Sequence, residues 1–302
     1  MEFRQIKSFL ALAESLSFTK ASQQIYLTQP ALSTQIRNLE RELGVILFDR
    51  TRHRVEITEA GRVFQAEARE LTELAARALR RTRQASRGEV GLLRIGYVSS
   101  AALEIVPPLI RDFRGAFPEV QIELQNMRTT EQAEALREKR IDVGFLRLPH
   151  PDPDLRVAAI HRESFVAVFA KSHRLAGARR FSLAALAREE FVAYGRRYAP
   201  GFYDQILKAC LDAGFSPKVI QETGEMHTTI ALIGAGLGVG ILPLAPVAAQ
   251  PRDITYRKLP ASFPKSEIGI VTRRDETSRV VANLLKILTA GGWLRAHSRA
   301  EG

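Results

Sequence analysis

One long helical segment constrains the fold of this chain more than any other feature. The run from Thr58 to Ser86 contains no proline, is interrupted only by Gly61, and is rich in alanine, leucine, glutamate and arginine. Roughly thirty residues at about 1.5 Å each form a helix some 45 Å long. We therefore predict an N-terminal domain over residues 1–58, a linker helix over 59–88 and a C-terminal domain over 91–302.

Apolar residues recur along this helix at steps of four, three, four and three. The stripe consists of Phe64, Ala68, Leu71, Ala75 and Ala78. Such heptad-like spacing is typical of helices that pair. A helix this long cannot bury its stripe on a small domain, so we expect a homodimer formed through the linker helix. The alternative is a helix that packs on its own chain.

The first 44 residues contain three short helical patterns, two of them with recognisable ends. Ser17 or Thr19 can cap the second helix, and Thr28 can cap the third. Pro30 suits the first turn of the third helix and Gly44 suits its C-terminal stop. Three short helices with a tight turn before the third predict a helix-turn-helix.

The exposed side of the third helix is polar, and an arginine-rich hairpin follows it. Two short strand patterns, Val45–Phe48 and Val55–Ile57, flank a basic loop that predicts a wing. Polar groups on such a helix read base edges in the major groove, while wing arginines contact phosphates or the minor groove. The alternative is a small core with a solvated loop. The predicted DNA-binding residues are Thr28, Gln29, Pro30, Ser33, Thr34, Arg37, Arg50, Arg52, His53 and Arg54.

Composition excludes several classes of protein. Lysine and arginine number 44 against 33 acidic residues, a net charge of +11 that favours polyanionic partners. Cys210 is the single cysteine, so no disulfide framework is expected, and the six histidines show no metal-ligand spacing. No apolar run reaches the roughly 18 residues of a membrane span, and no signal peptide is recognisable. We expect a cytoplasmic protein with no cofactor, no metal and no membrane partner.

About thirty positions in order make residues 1–60 resemble the winged-helix domain of LysR-type transcriptional regulators. They include Phe9–Glu14, Ser17–Ser22, Leu27–Ser33, Leu47–Arg50 and Thr58–Gly61. The resemblance implies double-stranded promoter DNA as a partner, with Gln29, Pro30, Ser33, Thr34 and Arg37 facing it and Arg50 and Arg52 in the wing. It also implies paired linker helices, association of dimers into a homotetramer, contacts to RNA polymerase, and activation more often than repression.

Strands and helices alternate from Gly91 onward and predict two α/β lobes. A βαβαβ pattern ends at the buried strand Ile141–Leu146, a second set begins at Ser164, and the chain then returns to the first set. The lobes are expected at about 91–161 with 267–302 (lobe I) and about 162–266 (lobe II). Asp142–Phe145 and Gly236–Pro243 extend the family resemblance, which implies a periplasmic-binding-protein-like effector domain.

Ligands bind such folds where strand C-termini and helix N-termini converge. Ser99, Ser100, Thr129, Arg147 and Pro200 all fall at such ends. Hydroxyls, helix N–H groups and a guanidinium together predict an anion-binding cleft, although any one serine or threonine can simply be a helix cap.

Within the family, this part of the chain resembles regulators of aromatic-acid and catechol degradation. That resemblance implies effector contacts at Ser100, Thr129 and Phe202, with Arg147 at the edge. The expected effector is a small carboxylate of aromatic or muconate-like type. We expect Ser100 and Thr129 to hold its carboxylate.

Two other function classes, an enzyme and a solute-binding protein, fit the sequence poorly. The glycines of Gly234–Gly240 lack the nucleotide-binding spacing, and Ser99 and Ser100 lack the Gly-x-Ser-x-Gly context of a hydrolase nucleophile. A solute-binding protein would need an export signal. The sequence therefore predicts a regulator and not an enzyme.

Overall fold

The chain forms two compact units, Met1–Gln84 and Ala85–Gly302. The structure is a computed structural model that describes residues 1–50, 54–178 and 181–293. The elements of the N-terminal unit are α1 (Phe3–Ser15), α2 (Phe18–Gln24), α3 (Gln29–Leu43), β1 (Phe48–Arg50), β2 (Val55–Ile57) and α4 (Glu59–Ser86), of which α4 extends into the second unit. The predicted helix-turn-helix, two-stranded wing and long linker helix are all present, but the first wing strand is Phe48–Arg50 instead of the predicted Val45–Phe48.

Local capping fixes where the helices begin and end. The Ser17 hydroxyl accepts from the Lys20 N–H, the Thr28 hydroxyl from the Ala31 N–H at 3.4 Å, and the Thr58 hydroxyl from the Gly61 N–H at 2.9 Å. Gly44 closes α3 with a left-handed φ of 72°, a conformation that glycine adopts without strain. These residues were predicted to stop or start helices, and the structure confirms it.

A ring cluster joins the helices, the wing and the start of α4 into one core. The Phe9 ring lies 5.2 Å from the Phe48 ring and 4.8 Å from the Phe64 ring, centroid to centroid. Ala68 is fully buried against the same core. The first two members of the α4 stripe therefore pack on their own chain.

Further along α4, the stripe is open to solvent at Leu71 and Ala78 and partly buried at Ala75. Leu71 is 40% exposed, and the neighbouring Leu74 and Leu79 are exposed too. Packing on the chain's own core therefore accounts for the beginning of α4 but leaves the apolar side chains of its second half uncovered.

The C-terminal unit contains a seven-stranded and a two-stranded sheet. The larger has the order β10-β6-β11-β5-β3-β4 with β9 paired to β6, and the smaller pairs β7 with β8 in parallel. The strands are β3 (Val90–Tyr97), β4 (Glu119–Asn126), β5 (Val143–Leu148), β6 (Leu155–Ala170), β7 (Glu190–Tyr194), β8 (Lys218–Thr223), β9 (Gly240–Pro243), β10 (Ile254–Lys258) and β11 (Lys265–Arg273). The helices are α5 (Ala101–Glu104), α6 (Val106–Ala116), α7 (Thr129–Arg137), α8 (Pro200–Asp212), α9 (Met226–Gly234), α10 (Leu244–Ala248) and α11 (Arg279–Ala290), with short 3-10 turns at Leu183–Leu186 and Arg196–Tyr198.

Two long antiparallel strands cross between the lobes. The sequence pattern predicted a strand only over 164–170, but β6 begins at Leu155 and continues for 16 residues. Its first half pairs with β11, and its second half pairs with β9 and β10. The βαβαβ pattern predicted for lobe I is confirmed, since β3 pairs in parallel with both β4 and β5. The returning strand β11 lies antiparallel between β5 and β6, so the complete sheet is mixed.

Each lobe has its own hydrophobic core, and β6 contributes to both. Ile160 belongs to the lobe I core with Phe113 and Phe145, whereas Phe165 and Phe169 belong to the lobe II core. A break between helices precedes Pro107–Pro108, since α5 ends at Glu104 and α6 begins at Val106. In the described part of the chain, no helix combines the length and apolarity needed to span a membrane.

Gly61 provides a test of how tightly α4 is docked on the N-terminal domain. A Cβ at Gly61 would lie 2.3 Å from the Leu47 carbonyl oxygen and 2.6 Å from the Ile57 side chain. We expect Gly61→Ala to destabilise this domain by about 2 kcal/mol, as overpacking does, and to lower its melting temperature by about 8–16 °C. Gly115→Ala, with open space around its Cβ, is the matched control and should leave thermal unfolding unchanged or slightly raised. Equal melting temperatures for both variants would contradict the close packing.

Candidate DNA interface and effector cleft

The helix α3 has one buried and one polar face. Leu32, Ile36 and Leu39 are fully buried. On the other side Thr28, Gln29, Pro30, Thr34 and Arg37 are exposed and Ser33 is partly exposed. The predicted reading residues thus share one accessible face at the N-terminal half of α3.

Hydrogen bonds pre-position part of this face. The Thr34 hydroxyl donates to the Pro30 carbonyl at 3.0 Å and accepts from Arg37 Nη2 at 3.3 Å. Within the described residues, no hydrogen bond engages the side chain of Gln29 or Ser33. Both side chains therefore keep their donors and acceptors available for a base edge.

One wing arginine is tied into the domain. Arg50 Nη2 lies 2.6 Å from Glu40 Oε2, and its guanidinium lies 5.4 Å from the centre of the Phe18 ring. Glu40 Oε1 also accepts from the backbone N–H groups of Leu47 and Phe48. Arg50 thereby anchors the wing to α3, a role that the sequence did not predict, and its contact with phosphate stays a prediction.

The tip of the wing is only partly described. Arg54 is 79% exposed along its side chain, with Nε 3.0 Å from Glu56 Oε1. Arg52 and His53, also predicted to contact DNA, lie outside the described residues.

A narrow cleft lies between the two lobes of the C-terminal unit. Side chains from both lobes line it: Val98, Ser99, Ser100, Asn126, Met127, Arg128, Arg147, Tyr194, Glu225 and Met226. The Ser99 hydroxyl donates to Glu225 Oε2 at 2.9 Å, so one hydrogen bond spans the lobes. Ser99, Ser100 and Arg147 were predicted for this cleft, and the structure brings these three together.

Arg147 is the most unusual group in the cleft. Its side chain is 2% exposed, and Nη1 donates to Ser266 Oγ at 2.5 Å and lies 3.4 Å from Glu163 Oε1. Its Nε and Nη2 are buried without a hydrogen-bond partner among the described residues. Burial lowers the pKa of the Arg147 guanidinium, while the Glu163 carboxylate acts in the opposite direction. An arginine nevertheless stays protonated in proteins, so two charged donors are left unsatisfied.

Three other predicted effector residues lie behind the lining. Thr129 is 1% exposed, and its hydroxyl accepts from the Arg147 backbone N–H at 3.2 Å. Phe202 is buried in the lobe II core, with its ring centre 5.3 Å from the Arg147 guanidinium. Pro200 begins α8 beside them. The structure therefore places Thr129 and Phe202 as supports of Arg147.

The sequence missed Arg128, Tyr194 and Glu225 as cleft residues. Arg128 and Glu225 directly precede α7 and α9, so the rule that selected Ser100 could have found both. Arg128 Nη1 donates to Glu131 at 2.8 Å, and its guanidinium lies 4.5 Å from the Tyr198 ring centre. Burial and then Glu225 raise the pKa of Tyr194 to about 12, so its phenol remains a donor at neutral pH. Residues 1–50, 54–178 and 181–293 contain no cluster of three potential metal ligands.

Comparison with known families gives two matches that cover almost the whole chain. Residues 3–62 match the model described as bacterial regulatory helix-turn-helix protein, lysR family. Residues 86–292 match the LysR substrate binding domain.

Curated relatives are similar over their full length. The HTH-type transcriptional regulator AlsR of Bacillus subtilis is 33% identical over 95% of this chain and 95% of its own. The regulator CatR of Pseudomonas putida is 34% identical over 95% of this chain and 98% of its own.

Solved structures agree with the sequence relatives. Full-length CbnR in complex with its target DNA has a TM-score of 0.82 at 30% identity, covering 96% of this chain and 99% of that chain. Full-length BenM has a TM-score of 0.59 at 31% identity, with 97% of each chain covered. The winged helix-turn-helix, the linker helix, the two-lobed effector domain and these similarities together establish that this chain belongs to the LysR family of DNA-binding transcriptional regulators, which are not enzymes.

Proposed function

We propose that this regulator is an activator whose promoter binding or activation responds to a small carboxylate bound beside Arg147. The observation that carries this proposal is the pair of unsatisfied donors on Arg147, buried at the cleft between the lobes. Leaving charged donors unpaired in the interior is costly, and a ligand that satisfies them recovers that free energy.

The geometry of Arg147 favours a carboxylate over other anions. Nη1 is already engaged by Glu163 and Ser266, so the remaining Nε and Nη2 form one edge of the planar guanidinium. Such an edge binds the two oxygens of a carboxylate with parallel hydrogen bonds. Ser100 lines the same cleft and makes no capping hydrogen bond to α5, so its hydroxyl can add a further donor.

The acidic side chain in the cleft couples effector binding to the contact between the lobes. Glu225 accepts a hydrogen bond from Ser99 across the lobes, and its charge opposes a second anion nearby. A carboxylate that enters the cleft must compete with the Ser99–Glu225 hydrogen bond. Effector binding therefore changes a contact that joins the two lobes. Coupling of this kind requires two states with different effector affinity.

One relative supports the mode of regulation, and the resemblance to regulators of aromatic-acid and catechol degradation underlies the class of effector. The curated relatives include CatR and ClcR of Pseudomonas putida, and a protein of Acinetobacter lwoffii described as a probable cat1 operon transcriptional activator. We infer an aromatic or muconate-like carboxylate as effector, activation through contact with RNA polymerase, and action in the cytoplasm, where promoter DNA is located.

On DNA, α3 enters a major groove and the wing follows the adjacent backbone. Gln29, Pro30 and Ser33 face the bases, with Thr28, Thr34 and Arg37 beside them. Arg50, Arg52, His53 and Arg54 contact phosphates. The exposed stripe of α4 supports pairing of two linker helices, which would present two copies of α3 to separated half-sites, and two such dimers would form a tetramer.

Substitution of Arg147 tests the effector site. The variant Arg147→Gln loses two hydrogen bonds to the effector carboxylate, each worth about 1.5 kcal/mol. We therefore expect it to bind carboxylates about 100-fold more weakly. In a thermal-shift screen of aromatic acids and dicarboxylates, the acid that stabilises the wild type should not stabilise Arg147→Gln. Arg114→Gln, an exposed arginine on α6, is the control and should keep the shift. A full ligand-induced shift in Arg147→Gln would remove the assignment.

A pair of variants tests whether α3 reads the bases and the wing contacts the DNA backbone. Gln29→Ala should lose about 1–3 kcal/mol of discrimination for the chain's own upstream duplex and little affinity for a scrambled duplex. Arg54→Ala should weaken both duplexes similarly and reduce the salt slope by about one. Fluorescence anisotropy at several salt concentrations measures both. If Gln29→Ala weakens the two duplexes equally, α3 is not the reading element.

Pairing through α4 is tested by the state of association in solution. Leu71→Glu places a charge in the exposed stripe and should convert oligomers to smaller species in sedimentation velocity runs. Ala66 is also exposed but lies on the opposite side of α4, so Ala66→Glu should sediment like the wild type. A Leu71→Glu variant with wild-type sedimentation would contradict pairing through this stripe.

A further inference from the structure

Tyr26 occupies an unusual position in the turn between α2 and α3. Its φ of 55° is left-handed, a conformation that glycine adopts without strain and bulky side chains rarely adopt. The Leu27 N–H donates to the Ser22 carbonyl at 2.9 Å and the Tyr26 N–H to the Gln23 carbonyl at 3.3 Å. This is the backbone arrangement with which helices commonly end on glycine.

Folding does not account for a tyrosine at this position. Tyr26 is 96% exposed, more than any other large hydrophobic side chain of the described residues. Its ring and hydroxyl make no hydrogen bond or ring contact with the described part of the chain. Its neighbours Ile25 and Leu27 are partly buried and hold the turn in place. The side chain therefore costs backbone strain and recovers no packing within its own domain.

The place of Tyr26 relative to α3 identifies what the side chain can reach. Gln29 lies three positions further along the chain, so the two Cα atoms lie at most about 11 Å apart. The major groove is about 12 Å wide, and α3 fills it when its N-terminal residues contact base edges. A side chain at the preceding turn then lies over the sugar-phosphate strand that borders the groove.

We propose that Tyr26 is an additional DNA-contacting residue that binds the DNA backbone beside the base-reading end of α3. The hydroxyl donates to a phosphate oxygen, and the ring packs against the adjoining deoxyribose. This inference rests on the proposed docking of α3 in the major groove. The contact is neutral and independent of sequence, and it fixes the register of α3 rather than selecting bases.

The backbone geometry provides a variant that separates binding from folding. Tyr26→Gly removes the side chain and relieves the left-handed strain, so its melting temperature should equal or exceed that of the wild type. Tyr26→Asn, which also tolerates this conformation, is the second variant. Each should weaken binding roughly fivefold to tenfold, equally for the chain's own upstream duplex and for a scrambled duplex, as loss of a solvent-exposed hydrogen bond from a neutral donor together with its packing predicts. The salt slope should not change, because no counterion is released at a neutral contact.

Three further proteins complete the experiment. Tyr26→Phe should weaken binding about threefold, since only the hydroxyl is lost. Tyr256→Ala removes a tyrosine of lobe II that is 39% exposed and should bind both duplexes within twofold of the wild type. Gln29→Ala reports on the docking itself.

The outcomes separate the two proposals. Wild-type affinity in both Tyr26→Gly and Tyr26→Asn, together with lost specificity in Gln29→Ala, would overturn the inference on Tyr26 alone. A loss confined to the upstream duplex would show a base contact and overturn the assignment to the backbone. Unchanged specificity in Gln29→Ala would refute the docking on which the inference depends.

Discussion

The effector cleft depends on how one buried guanidinium is satisfied. Arg147 lies on β5, Ser266 on β11 and Glu163 on β6, three neighbouring strands of one sheet. The register pairs Ser266 with Glu163, which brings both side chains to Nη1 of Arg147. The protein thus binds the guanidinium through Nη1 and leaves Nε and Nη2 without a partner among the described residues. A buried charge satisfied on one side only is a site with a strong preference for an anion.

The same arrangement connects the cleft with lobe II. The second oxygen of Glu163 accepts from the Ala245 backbone N–H at 2.6 Å, at the start of α10. The Arg147 guanidinium also lies over Phe202, which belongs to the lobe II core. Arg147 therefore contacts groups of both lobes directly or through one side chain. A ligand that draws its guanidinium toward the cleft changes contacts on both sides of the crossing strands.

A structural feature could be predicted from the sequence where it depends on residues that are close together in the chain. The ends of α3 and α4 followed from Thr28, Gly44 and Thr58, whose effects extend over a single turn. The full length of β6 could not be predicted, because a polar stretch at His161–Glu163 interrupts its apolar pattern and only pairing with β11 extends the strand. The strand β10 and the helix α10 were missed for the same reason: their residues give weak local patterns, and distant partners determine their structure.

The candidate sites followed the same rule. Ser99, Ser100 and Arg147 could be found because each lies near a strand end, whereas the Ser99–Glu225 contact joins residues 126 positions apart. The sequence predicted that Arg50 contacts DNA because it is a basic residue of the wing, and only the structure shows that Glu40 binds it. The unpaired atoms of Arg147 depend on the register of three strands, which no local pattern contains.

The unpaired guanidinium edge of Arg147 makes the cleft selective for the charge of a carboxylate. Isothermal titration calorimetry of the wild-type protein should compare the acid that stabilises it most with the primary amide of the same acid. The amide keeps the size and planarity of the carboxylate but carries no charge and only one acceptor oxygen. We predict binding of the acid at one site per protomer and at least about 100-fold weaker binding of the amide. Equal affinity for acid and amide would contradict the account.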